Sequence, residues 1–175
     1  MGTQASHIFF NGIFLGLAII LLLPFLTLFI ECLLAFLPGK NESTPASYTR
    51  PRVAVLVPAH NEALVIQAAL ETFIPQLTSQ DQLIVIANNC TDDTAKIARS
   101  LGATVLERFE PDPERRSKGY GLDYGIQYLS QNSPDVVIAI DADCLVDPNA
   151  IHRLVNKAYV TGRPVQAAYL MKPPS

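Results

Sequence analysis

The chain has no cluster of basic residues, no cysteine framework and, over most of its first forty positions, almost no charge. Its 13 Lys and Arg are scattered among 16 Asp and Glu for a net charge of −3. A phosphate-binding face for nucleic acid needs Lys and Arg gathered on one surface, so nucleic acid is excluded as a partner. The three cysteines, Cys32, Cys90 and Cys144, have neither paired nor metal-ligand spacing. No disulfide framework is expected, which fits a reducing compartment. No Gly-x-Gly-x-x-Gly follows the first strand-like run, which disfavours a dinucleotide-dependent dehydrogenase.

What is present is uneven. The chain is 49% hydrophobic and 17% charged, yet residues 8–38 contain a single charged side chain, Glu31. Residues 8–30 are uncharged, and at about 1.5 Å per residue such a run covers a hydrocarbon core about 30 Å thick. A cleaved signal would have a basic start and a shorter apolar core, whereas residues 1–7 carry no Lys or Arg. The reading is a short tail over 1–7 and a transmembrane helix over 8–37, kinked at Pro24. Glu31 is expected near the headgroups, because a carboxylate at the midplane costs about 2.5–3.5 kcal/mol. Nothing basic precedes the span, while Lys40, Arg50 and Arg52 follow it. That bias places the rest of the chain on the cytoplasmic side of the membrane.

Residues 38–51, "PGKNESTPASYTRP", have no apolar period and read as a linker. From residue 52 onward, short β-branched runs alternate with helical patterns. The runs at 53–59, 82–87, 103–107, 135–141 and 164–170 have strand length. Four helices are predicted between them: Glu62 to Phe73, Asp93 to Leu101 with a stop at Gly102, Lys118 to Ser130, and one capped by Asp147 that ends before Gly162. The order β-α-β-α-β-α-β-α-β predicts an α/β fold with a mostly parallel, doubly wound sheet, Rossmann-like, covered on both faces. Such sheets bind ligands at the carboxyl ends of their strands.

Three strand ends carry polar residues that core patterning does not require. "PAHNEA" follows the first strand, and Asn61 and Glu62 there suit a helix N-terminus as well as a ligand. "ANNCTDDT" follows the second, and its paired amides suit either a nucleobase edge or an Asx turn. The fourth run ends in "DADC", where Asp141 and Asp143 repel unless a cation joins them. The nearest basic residue in sequence is Arg153. A divalent ion held by carboxylates and substrate phosphates would supply the missing charge. Arg115, Arg116 and Lys118 precede the third helix, and positive charge at a helix start suits an anion.

In this order and spacing, "VPAHNEA", "ANNCTDDTAKIAR", "SKGYGLDYG" and "VVIAIDADC" resemble the nucleotide-sugar-binding half of family 2 glycosyltransferases with the GT-A fold, in the manner of membrane-anchored polysaccharide synthases. The likeness covers residues 53 to about 172. It implies that Pro58, Ala59, His60, Asn61 and Glu62 line a nucleotide pocket and that Asn88 contacts the base. Lys118 corresponds to the family's basic residue ahead of the acceptor-side helix. Asp141, Ala142 and Asp143 form the Asp-x-Asp site, with Asp143 the direct ligand of Mn²⁺ or Mg²⁺ and Asp141 facing the ribose and metal water. The implied partners are a nucleoside diphosphate sugar, with UDP as the expected nucleotide, and a carbohydrate or lipid-linked acceptor.

Two departures from the family pattern stand out. Asn88 is a neutral amide where the family often has an acidic residue that accepts from the uracil imide. The catalytic base and the Gln-x-x-Arg-Trp motif lie well beyond the Asp-x-Asp in the family, so both are expected after Ser175, with 52–175 a truncated donor-binding half. Two rivals remain at this point. An Asp-x-Asp phosphatase would place the pair at the opening of the domain rather than after a fourth strand. A membrane-anchored nucleotide-binding module would keep the pocket without the chemistry.

Overall fold

The computed structural model describes residues 2–37 and 49–170. The chain divides into two compact units, Met1–Ser43 and Thr44–Ser175. Most of the predicted linker, 38–48, lies outside the described residues, as does the end of the chain from 171.

Among the described residues, the first unit contains one helix, α1 (Gly2–Ala35). It starts well before the apolar run, because Thr3, Gln4, Ala5, Ser6 and His7 include nothing that breaks a helix; the predicted tail is helical from Gly2. Pro24 sits inside it, and the helix continues on both sides. One turn later, the Thr27 hydroxyl donates to the Leu23 carbonyl at 3.0 Å. The stretch Asn11–Ala35 has a mean hydropathy of 2.9 in its most apolar window and buries none of it within the protein. It is long and apolar enough to cross a membrane.

The second unit is built on four parallel strands: β1 (Val53–Ala59), β2 (Gln82–Asn88), β3 (Thr104–Arg108) and β4 (Val136–Ala139). Their spatial order is β3-β2-β1-β4. Four helices connect or follow them: α2 (Ile66–Phe73), α3 (Thr94–Ser100), α4 (Lys118–Leu129) and α5 (Ala150–Thr161). Side chains alternate between the faces of a strand, and β1 uses both. Val53, Val55 and Val57 pack with Ile66, Leu70 and Phe73 of α2, Ala98 of α3 and Ile151 and Val155 of α5. Ala54 and Leu56 join Ile84, Ile86 and Leu129 on the other face, under α4. Burying a Val, Leu, Ile or Phe side chain contributes about 1.5–3 kcal/mol, so these two cores dominate the unit's stability. The predicted doubly wound sheet is the one observed.

On the α4 side the approach is close. A methyl group placed on Gly125 would lie 3.1 Å from Ile86 Cδ1 and 3.2 Å from Leu56 Cδ2. A side chain there would require the ends of Ile86 and Leu56 to give way by a few tenths of an ångström.

The fifth predicted strand is absent: residues 164–170 have no regular structure and are largely exposed. A strand exists by pairing its backbone groups with a neighbour, and this segment joins no ladder. Two helices also start later than predicted. Asn61 adopts a left-handed φ of 56° and residues 63–65 form a turn, so α2 begins at Ile66 rather than Glu62. Asn149 is left-handed at 65° and takes the N-cap position of α5 in place of Asp147. The Ile151 amide at that helix start donates to Gln76 Oε1 at 3.2 Å, a cap contributed from a distant part of the chain. At the other end Gly162 is left-handed at 60°, as a glycine terminating a helix commonly is.

The order β3-β2-β1-β4 places β1 between β2, which follows it, and β4, which arrives last. The connections leave β1 on one side and β4 on the other, and this is the topological switch point where the strand ends open a crevice.

Candidate functional site

Three loops meet at that crevice. After β1, the chain is held by its neighbour rather than by itself. The Glu62 amide donates to Thr94 Oγ1 at 2.8 Å and the Ala63 amide to Asp92 Oδ2 at 3.1 Å. Asn61 Oδ1 accepts from the Thr91 amide at 2.8 Å and lies near the Thr91 hydroxyl at 3.3 Å. His60 Nδ1 lies 2.7 Å from the Asn88 carbonyl oxygen. The bond from the Thr94 hydroxyl holds the Asp92 carboxyl below its usual range, helped by the amides of Thr94 and Ala63. The loops after β1 and β2 therefore form one laced unit.

Asn88, at the end of β2, is only 5% exposed. Its Nδ2 donates to the Arg116 carbonyl at 2.8 Å, and its Oδ1 accepts from Arg108 Nη1 at 2.9 Å. Arg108 also bonds Glu110 Oε2 at 2.9 Å and the Arg115 carbonyl at 3.1 Å. Arg116 donates through Nε to the Glu110 carbonyl at 2.8 Å and through Nη2 to the Pro111 carbonyl at 2.7 Å. The amide predicted to read a base is thus already a clamp that fixes the loop leading into α4. One hydrogen and one lone pair of its side chain remain for a ligand.

After β4, the Ile140 amide continues the ladder to the Leu56 carbonyl at 3.0 Å, and the Cys144 amide then turns back to the Asp141 carbonyl at 3.1 Å. This turn draws ligand atoms of Asp141, Asp143 and Cys144 to within 4.8 Å of one another. The sequence offers no nearby cation, but the fold does: Lys118, the first residue of α4, forms an ion pair with Asp141. Asp143 is exposed and makes no ion pair among the described residues. Burial pushes the Cys144 thiol up, against a lowering contact from the Tyr169 hydroxyl. Two of these three donors are carboxylates. Hard oxygen donors of this kind fit Mn²⁺ or Mg²⁺.

The walls enclose a cleft of about 280 Å³, lined by Pro58, Ala59, His60, Glu62, Asn88, Arg116, Lys118, Asp141, Ala142 and Asp143. Of the residues that the sequence singled out, Asn61 does not line it; its side chain is spent on the Thr91 bond instead. Arg116 lines it without having been assigned to the site. Arg108 was missed altogether. Its signal was a single arginine at the last position of a strand, a place where core packing asks for nothing charged.

A sequence profile described as glycosyl transferase family 2 matches residues 54–169. Glucosyl-3-phosphoglycerate synthase from Mycobacterium tuberculosis is 33% identical over 117 residues, 65% of this chain and 34% of that protein. A 4,4'-diaponeurosporenoate glycosyltransferase from Staphylococcus aureus is 28% identical over 118 residues, 66% of this chain and 30% of that protein. The chain thus spans about a third of the length of these curated relatives. The solved structure of the mycobacterial synthase with Mn²⁺ and uridine-diphosphate-glucose matches with a TM-score of 0.51 at 28% identity, covering 67% of this chain and 45% of that one. A mannosyltransferase from Pyrobaculum calidifontis, solved with GDP-Man and Mn²⁺, has a TM-score of 0.59 at 23% identity, covers 77% of this chain and 39% of that one, and supports the GT-A fold. With the family profile matched from β1 to beyond α5, the chain belongs to glycosyl transferase family 2.

Proposed function

We propose that residues 52–175 form the donor-binding half of a glycosyltransferase that moves a sugar from a nucleoside diphosphate to an acceptor hydroxyl. The observation that carries this reading is the carboxylate pair Asp141 and Asp143 at the switch-point cleft, with Lys118 beside it. Asp143 and Asp141 would hold Mn²⁺ or Mg²⁺, which when bound offsets the charge that builds on the departing diphosphate. Pro58, Ala59, His60 and Glu62 form the wall on which the nucleoside lies, and Arg116 and Lys118 set positive charge toward the phosphates. Relatives solved with Mn²⁺ and UDP-glucose or GDP-Man support a metal-assisted nucleotide-sugar site. Inversion at the anomeric carbon, a carbohydrate or lipid-linked acceptor and a role in cell-surface or exopolysaccharide synthesis follow the resemblance drawn from the sequence motifs. Donor binding, not removal of the acceptor's proton, is the task assigned to the described residues.

The proposed organisation is a membrane span over 8–37, a linker over 38–51 and the donor-binding unit on the cytoplasmic side. The apolar helix Asn11–Ala35 and the basic residues that follow it support this arrangement.

Thermal melting of the 175-residue chain in detergent tests the donor site. Mn²⁺ with UDP or GDP at a hundredfold excess over Kd should stabilise the donor unit by about 2.7 kcal/mol. Asp143→Asn should lose that shift, since removing a direct ligand ought to exceed the roughly 10–100-fold that outer-sphere partners cost. No shift with either nucleotide, or an unchanged shift in Asp143→Asn, sinks the reading.

A further inference from the structure

The ion pair between Lys118 and Asp141 raises a question that donor binding leaves open. Two carboxylates whose oxygens lie within 4.8 Å would be expected to attract a divalent ion from solution whether or not a nucleotide is present. The cell contains such ions at all times, and a site filled by a bare cation is not a loaded donor site. In this structure a fixed charge of the protein already occupies part of that role. The Lys118 ammonium neutralises one of the two carboxylates, and it does so from the first turn of α4.

Lys118 is also placed to leave. Its side chain and that of Asp141 are 54% and 48% exposed, so the pair has no enclosing packing to hold it. The neighbouring cation does not take its place on Asp141: the Arg116 guanidinium is tied to the Glu110 and Pro111 carbonyls. A lysine head is a point charge on a flexible stem, suited to exchanging one anionic partner for another. Both of its possible partners, the Asp141 carboxylate and an incoming diphosphate, border the same cleft.

We propose that Lys118 is a stand-in cation: it occupies Asp141 while the donor site is empty and transfers to the diphosphate when metal and nucleotide arrive together. The inference rests on the donor-site reading above. Its consequence is coupled loading. Free metal must compete with the ammonium and binds weakly. Metal with nucleoside diphosphate provides the ammonium with a new anion, so Asp141 is released without leaving a lone positive charge in the cleft. Metal and nucleotide therefore assist each other through one side chain, and by linkage each raises the affinity of the other by the same factor.

The test is a binding measurement on the full chain in detergent, with no turnover required. Mn²⁺ affinity is read without nucleotide, by the electron paramagnetic resonance signal of the free ion, and UDP and GDP affinities are read at saturating Mn²⁺ by calorimetry. In Lys118→Ala, Mn²⁺ alone should bind more tightly, roughly tenfold, which is about 1.4 kcal/mol. The nucleoside diphosphate should bind more weakly in the same variant. Lys118→Arg, which keeps the charge, should restore weak binding of the bare ion. If Lys118→Ala weakens both ligands, or leaves Mn²⁺ alone unchanged, Lys118 is only a phosphate contact; the stand-in role is then overturned while the donor site stands. If the unsubstituted chain binds neither nucleotide with Mn²⁺, both proposals fall together.

Discussion

Two aspartates in the same unit show how a structural ion pair differs from one held in reserve. Asp81 lies at the opposite end of the sheet from the cleft, beside the first residue of β1. Its side chain is fully buried and all of its acceptor positions are engaged: Arg50 Nη1 at 2.7 Å, the Val53 amide at 3.2 Å, and the Thr78 amide and hydroxyl at 2.7 and 3.0 Å. Asp141 is half exposed and, among the described residues, its side chain has the single partner Lys118 and sits beside a second carboxylate that makes no ion pair. The first arrangement leaves no capacity for a ligand. The second is incomplete in a way that a dication and a diphosphate would complete, so it is saturation, rather than charge, that separates scaffold from site.

The sharpest way to break this comparison is to remove each carboxylate in turn. Asp81→Ala leaves a guanidinium, two amides and a hydroxyl without their acceptor, and should cost about 3 kcal/mol. Chemical denaturation of the donor unit would read this. A smaller effect is expected from acid. Burial pushes the Asp81 carboxyl up, but the Arg50 guanidinium and the Thr78 amide and hydroxyl outweigh it and hold it below its usual range. The folded state then takes up this proton less readily than the unfolded chain. Its contribution is complete above the unfolded carboxylate value of about 3.9 and is lost as pH falls through the lower folded value. Stability measured from pH 5 downward should decline in this window, and Asp81→Ala should lack that part of the decline. The smallest effect belongs to the cleft: Asp141→Ala should change stability by no more than about 1 kcal/mol, as exposed pairs do. A loss at Asp141 equal to that at Asp81 would dissolve the distinction.

Much of this was legible in the chain. The β-branched runs and the Gly-terminated helices announced a parallel sheet with two covered faces, because period and punctuation are local properties. The carboxylates at the end of "IAIDADC" stood out because core patterning has no use for them. What escaped the sequence reading was set by long-range geometry. Lys118 and Asp141 are 23 positions apart, and Gln76 reaches across to cap α5; neither relation leaves a local trace. The run at 164–170 has the composition of a strand, but composition does not provide the neighbour that a strand needs. The clamp on Asn88 was hidden for the same reason, since Arg108 lies on another strand.

Gly125 carries one more implication. It lies seven residues along α4 from Lys118, in dry packing against Leu56 and Ile86, and its missing side chain decides how near the helix axis rides to the sheet. Lys118 begins the same rigid rod, so the depth of that seat governs the reach of its ammonium. A substitution at Gly125 that shifted this seat would therefore reach the electrostatics of the cleft without altering any residue that lines it.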